Sequence, residues 1–176
     1  ATSDTAQSNL ASSGNLILIT TAGSIETLNS GGATSAAGNL LMSAGGANDI
    51  TLGATVTNSV GHTSINAGAS IVQNANITAS GAASTIELIA VGAITMGATA
   101  TIGSNNGNVL LNAATGDITL ETLTAGSASV AITAQAGNII DRDTAGDTAV
   151  DITAAGLLLK ASASTKGIGS GSNQLE

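Results

Sequence analysis

Gly107-Asn108-Val109-Leu110-Leu111-Asn112-Ala113-Ala114-Thr115-Gly116-Asp117-Ile118-Thr119-Leu120-Glu121 contains two short apolar runs. Val109 and Leu111 flank Leu110, Ile118 and Leu120 flank Thr119, and an Ala/Thr/Gly corner joins the runs. Successive side chains of a strand point to opposite faces, so each run reads as a strand with one face in a core.

The unit recurs along the chain. Its first strand aligns as Leu16/Leu18, Leu40/Met42, Thr63/Ile65, Ile86/Leu88, Val109/Leu111, Val130/Ile132 and Val150/Ile152, with starts 24, 23, 23, 23, 21 and 20 residues apart. The residues between these pairs, Ile17, Leu41, Ser64, Glu87, Leu110, Ala131 and Asp151, are mixed, as an outward row should be. A second row follows one corner later: Ile25, Ile50/Leu52, Ile71, Ile94/Met96, Ile118/Leu120, Ile139 and Leu157 or Leu158. Gly, Asn or Asp precedes most of its members, which suits a tight corner. In a third row Val56, Ile77, Ala100 and Leu123 point inward, flanked on the outside by Thr55/Thr57, Asn76/Thr78, Thr99/Thr101 and Thr122/Thr124. Thr34 and Thr144 extend this outer array at either end.

Repetition at a nearly fixed period is the mark of a solenoid. The expected fold is all-β: a right-handed parallel β-helix (solenoid) of about seven coils of roughly 23 residues, with three strand segments per coil. At about 4.8 Å between neighbouring strands it makes a rod roughly 34 Å long. A β-sandwich also has alternating strands, but nothing in it keeps aliphatic on aliphatic and Thr on Thr through successive repeats. The expected organisation is a frayed or partial lead-in over 1–13, the β-helix repeat domain over 14–168, and a disordered tail over 169–176. The chain starts at Ala1 and ends in Leu175-Glu176, a pair that resembles a cloning remnant, and it reads as an excised piece of a longer protein.

Composition agrees with a thin interior. Among 176 residues there are 23 Gly and no Pro, Cys, Phe, Tyr or Trp. Aromatic side chains dominate the interior of most globular domains. Here the core must be narrow enough for Ile, Leu, Val, Ala and Thr to fill it. Three Lys plus Arg against 11 Asp plus Glu give a net charge of -8, which excludes binding to nucleic acid through its phosphates. The absence of cysteine excludes disulfides and thiolate metal sites.

Few residues carry chemistry. His62 is the only histidine and falls in a corner between Gly61 and Thr63, so it reads as a partly exposed corner residue. Glu26, Glu87, Asp117 and Glu121 read as solubilising surface acids; a glycosidase pairs two carboxylates across its substrate, and nothing in the sequence pairs these. The chain is expected not to be an enzyme and to need no cofactor. Asp141, Asp143, Asp147 and Asp151 crowd into eleven residues and are the calcium candidates, since calcium takes oxygen ligands from such loops. Their spacing does not match an EF-hand, and the preferred reading is that they hold no metal. Gly45-Gly46-Ala47-Asn48-Asp49 is similar to a single calcium-binding turn. A flat face formed by Thr34, Thr55, Thr57, Thr78, Thr99, Thr101, Thr122 and Thr124 resembles those of ice-binding β-solenoids, and ice binding is the alternative function. High β-propensity and ladder stacking of threonine explain the same residues without it.

Gly14-Asn15-Leu16-Ile17-Leu18, Gly38-Asn39-Leu40-Leu41-Met42 and Gly107-Asn108-Val109-Leu110-Leu111 resemble the Gly-Asn-aliphatic repeats of filamentous-haemagglutinin-like exoproteins over about residues 14–168. These are large bacterial adhesins exported by two-partner secretion and built as right-handed β-helices. The resemblance implies a secreted or cell-surface location, an outer-membrane secretion partner, and a shaft that projects a binding region, located elsewhere in the protein, toward a host cell or abiotic surface. It carries over no catalytic or binding residue, and the piece itself is expected to be monomeric. The period near 23 differs from the family's best-known repeats, which are nearer 19, and the proline-containing secretion motifs are absent from this chain.

Overall fold

A computed structural model describes residues 9–28, 32–143, 149–170 and 173–176. The chain is a right-handed parallel β-solenoid, wound so that each turn contributes one strand to each of three faces. The first face stacks Leu16–Thr20, Leu40–Ala44, Thr63–Ala67, Ile86–Ala90, Val109–Ala113 and the later parts of Thr122–Ala134 and Ile152–Ala161. The second face stacks Ile25–Thr27, Ile50–Leu52, Ile71–Gln73, Ile94–Met96, Ile118–Leu120 and Ile139–Asp141. The third stacks Leu10–Ser12, Thr34–Ala36, Val56–Asn58, Ile77–Ala79, Thr101–Ser104 and the early parts of the same two long strands. Those two strands run from the third face into the first, with a register shift at Gly126, whose φ of 57° turns the corner.

Alternation along each strand becomes alternation in burial. Leu40–Ala44, Thr63–Ala67, Ile86–Ala90 and Val109–Ala113 share one pattern, odd positions buried and even positions half-exposed. Ile65, Leu88, Leu111 and Ile132 stack directly above one another, all fully buried. A lone turn cannot shield such residues from solvent, whereas a stack shields all but its ends, and solenoid stability is therefore shared between neighbours.

The corners explain the Gly-Asn pairs. Asn15 Oδ1 accepts the N–H of Asn39 at 2.8 Å, Asn39 Oδ1 accepts that of His62 at 2.9 Å, and His62 Nδ1 accepts that of Thr85 at 3.1 Å. Asn108 Oδ1 continues the rule with the N–H of Ser129 at 3.0 Å. Each corner side chain thus satisfies a backbone donor in the next turn, a donor that would otherwise have no partner at the bend. The glycine before it is required by close approach. A Cβ on Gly61 would sit 2.6 Å from the Asn39 nitrogen, and one on Gly107 would run into the carbonyl of Ser84. For Gly14, in the first turn, a Cβ would meet nothing within 4 Å among the described residues.

Five expectations are corrected. In the last turn the inward first-face pair is Leu157/Leu159, in register with Val130/Ile132, and not Val150/Ile152 as the repeat implies. Ile152 belongs to the third face against Leu123, and the start-to-start step from Val130 to Leu157 is 27 residues where the repeat implied 20. Ile168, which bridges Ile139, takes the second-face position in place of Leu157 or Leu158. On the third face Ile102, and not Ala100, is in register with Ile77 and Leu123. At the termini, Leu10–Ser12 is a strand paired with Thr34–Ala36 and not a frayed lead-in. Leu175, expected in a disordered tail, packs on the core, and the backbone of Glu176 bonds to Asp151.

If the corner glycines are dictated by stacking, their replacement should cost according to what lies below. Gly107→Ala is expected to lose about 2 kcal/mol or more, because a backbone carbonyl must move, and Gly14→Ala to stay within about 0.5 kcal/mol. Urea melts followed by circular dichroism measure both; equal losses would contradict the role assigned to Gly107.

Candidate functional site

Four acids, Glu121, Asp141, Asp143 and Asp151, converge at the corner between the second and third faces near the carboxyl-terminal end. Asp141 occupies an inward second-face position in register with Leu120, is 4% exposed, and accepts the N–H of Asp143 at 2.9 Å through Oδ1. Asp151 lies one residue before Ile152, where Glu176 covers it to 1% exposure, its Oδ2 accepting the Glu176 N–H at 3.0 Å. One carboxylate oxygen from each of Asp141, Asp143 and Asp151 lies within 4.8 Å of the others. Asp147 lies outside the described residues.

Glu121 joins them. It follows Leu120 one turn earlier, and its Oε2 is sealed from solvent with no hydrogen-bond partner among the described residues. Burial, followed by repulsion from Asp143, raises its pKa above the usual carboxylate range; Arg142 pulls the other way, and Asp151 and Asp141 add smaller pushes upward. Burial raises Asp151 to about 6; its bond from the Glu176 backbone opposes this, while Asp141, Glu176 and Asp143 reinforce it. Oxygens gathered in this way take up either a proton or a hard cation. Asp141, Asp143 and Asp151 supply the donor set for the latter, and Glu121 is near enough for the charges of all three to act on it.

The other candidates do not converge. Glu87 lies on the first face and accepts from Ser64 Oγ at 3.2 Å, and Asp117 holds the Asn138 N–H at 2.7 Å at the corner before the second face. His62 is an exposed corner residue, as expected, with an added role as backbone acceptor for Thr85. Asp49 accepts the Ser70 N–H at 2.8 Å and so ties the turn to the next coil, while Asn48 donates to the Gly45 carbonyl within the turn itself.

The threonine face is less regular than the sequence implied. Thr55, Thr57, Thr78 and Thr124 are exposed, and Thr101 and Thr122 half-buried, on the outside of the third face. Asn76 interrupts one row by bonding the Thr101 N–H at 3.0 Å, and Gly103 interrupts the other between Thr78 and Thr124. Thr34 is corrected: it points inward, 4% exposed, in register with Val56. Thr99 is corrected as well, since it sits in a turn before the strand Thr101–Ser104. Thr144 lies outside the described residues. No family model, curated protein or solved structure matches this chain.

Sequence spacing alone placed the three aspartates together, but it missed Glu121, twenty residues before Asp141. The signal was available: one turn of the repeat is about that long.

The raised Asp151 pKa fixes the sign of a pH effect. Between the ordinary 3.8 and about 6 the folded chain holds a proton that the unfolded chain has released. This contribution is therefore fully present below 3.8 and is lost as pH rises through about 6. Asp151→Asn is expected to be the more stable protein at pH 7.5, by on the order of 1–3 kcal/mol, and to lose less stability than the parent between pH 5 and 7.5. Parallel stability curves for the two proteins would contradict the burial of an ionised Asp151.

Proposed function

We propose that the chain is a length of shaft from a secreted bacterial surface adhesin of the filamentous-haemagglutinin-like kind. The observation that carries this reading is the uninterrupted stack. From Leu40 to Ile139 the inward rows on three faces stay buried turn after turn, and side-chain acceptors tie the corners together. Such a rod transmits force and sets a distance, because bending it means breaking strand ladders on three sides at once. The Gly-Asn-aliphatic repeats add the family resemblance, and with it a surface location, an outer-membrane secretion partner and attachment through another region. The role is mechanical and involves no catalysis.

Tight interfaces concentrate their energy in buried aromatic and arginine side chains. This chain has no aromatic residue, so attachment is assigned to other parts of the protein. The ice-binding alternative is less well supported, because both outer rows of the third face are interrupted, by Asn76 and by Gly103.

Separating shaft from binding module is direct. The purified chain is expected to show no saturable binding to host cells or to abiotic surfaces, and no inhibition of ice recrystallisation. In a surface-displayed fusion carrying an unrelated adhesive domain, replacing the chain by a Gly/Ser linker of equal contour length should reduce cell attachment while leaving soluble-ligand binding unchanged. Saturable binding by the chain alone, or equal attachment through the flexible linker, would overturn the reading.

A further inference from the structure

One link in the row of corner side chains before the first face differs in kind from the others. Asn15, Asn39 and Asn108 each accept a backbone N–H of the next coil through an amide oxygen, which a change of pH leaves an acceptor. His62 does the same through Nδ1, which accepts the Thr85 N–H at 3.1 Å and lies 2.9 Å from Thr85 Oγ1. A ring nitrogen that accepts from an N–H carries no proton. The ring is therefore the neutral tautomer with its hydrogen on Nε2, and the Thr85 hydroxyl also donates to Nδ1. An imidazolium has hydrogens on both nitrogens. The Thr85 hydroxyl is able to reverse and accept from it, but the Thr85 N–H is left with no acceptor.

The corner held by this link is strained. Ala83 has a φ of 59°, in the left-handed region that a residue with a Cβ rarely adopts. Two bonds pin the corner 81–85 to the coil before it: Ser84 Oγ donates to the Val60 carbonyl at 2.8 Å, and the Thr85 N–H donates to His62. We propose that His62 is an acid-released latch on this corner, closed while the ring is neutral and open once it is protonated. The ring is exposed, so a proton reaches it without any unfolding.

The release is local. The Thr63 N–H donates to the Thr85 carbonyl at 2.9 Å and the Ile86 N–H to the Asn108 carbonyl at 3.0 Å, and neither bond involves an ionisable group. Acid therefore loosens a corner in the middle of the stack and leaves the coils on either side joined. Leu40–Ala44, Val56–Asn58, Thr63–Ala67, Ile77–Ala79 and Ile86–Ala90 meet around this corner, and among them Glu87 is the one ionisable side chain. Its Oε2 accepts from Ser64 Oγ at 3.2 Å. Asp151, at the other pH-sensitive corner, responds in the opposite sense, since its contribution to stability is present in acid.

Residue-resolved amide exchange on the intact chain, compared at about pH 7.5 and about pH 5 on either side of imidazole titration, tests the latch. Protection of the Thr85 amide, taken relative to that of Ile86 so that any change in overall stability cancels, is expected to fall about tenfold in acid. His62→Asn, which places here the residue that serves at Asn15, Asn39 and Asn108, should keep Thr85 protected at both pH values. His62→Ala should leave it unprotected at both, and Glu87→Gln should retain the fall. Nitrogen chemical shifts of the ring at the higher pH should show Nδ1 without a proton. Equal relative protection of Thr85 at the two pH values in the parent would overturn the proposal. So would the same fall in His62→Asn, its disappearance in Glu87→Gln, or a proton on Nδ1 of the neutral ring.

Discussion

A strand that must turn three corners per coil leaves backbone N–H groups at the bends, where the sheet ladder does not reach, and the rest of this structure depends on how they are satisfied. The recurring answer is a short side-chain acceptor in the coil before. Asn15, Asn39, His62 and Asn108 serve the corner before the first face, and Ser24, Asp49, Ser70, Asp117 and Asn138 the corner before the second. Asn9 and Asn76 do the same before the third. Much of the composition follows. Asn, Ser and Asp are abundant because each corner needs an acceptor close to the backbone. Glycine stands where consecutive coils touch. Proline, which has no N–H to offer the next coil, does not occur.

The same constraint shows where the stack is costly and where it stops. Thr63 and Gln73 lie in one coil, both inward and both essentially unexposed, and Thr63 Oγ1 and Gln73 Oε1 have no partner. Gln73 recovers part of the cost by donating to the carbonyls of Ala75 and Thr101. Farther along, Asp141 replaces the large apolar residue of its column, and beyond it the corner acceptors give way to Gly156 and Gly167. The acidic corner and the loss of corner acceptors fall in the same last turn, while the strand ladder itself continues there through Ile152–Ala161.

The fold was legible wherever period and residue class agreed. The first two faces could be read because Ile, Leu and Val recur at inward positions and their spacing barely drifts. The third face was harder, since its inward row mixes Thr34, Val56, Ile77, Ile102 and Leu123, and small residues there carry little pattern. Thr99-Ala100-Thr101 therefore imitated a strand centre two residues too early, because Ala100 is buried too. The last turn was misread because 27 residues separate Val130 from Leu157, and an aspartate-rich insertion resets the register without any hydrophobic signal. Of the acidic corner, the local part was visible in the sequence. Glu121 was missed because its proximity is created by winding and shows only as a spacing of one turn, and the bond from the Glu176 backbone to Asp151 carries no sequence signal at all. The Gly-Asn pairs stood out in the sequence, but the close approach that makes Gly61 and Gly107 necessary appears only once consecutive coils are stacked.

Amide hydrogen exchange resolved by residue tests the corner bonds most directly. If they tie consecutive coils together, the backbone amides of Asn39, His62, Ser70, Asn138 and Ser129 should exchange as slowly as those of the neighbouring strands, although most of these residues are exposed on the surface. Strand amides that remain protected while these corner amides exchange at the rate of free loops would contradict the account.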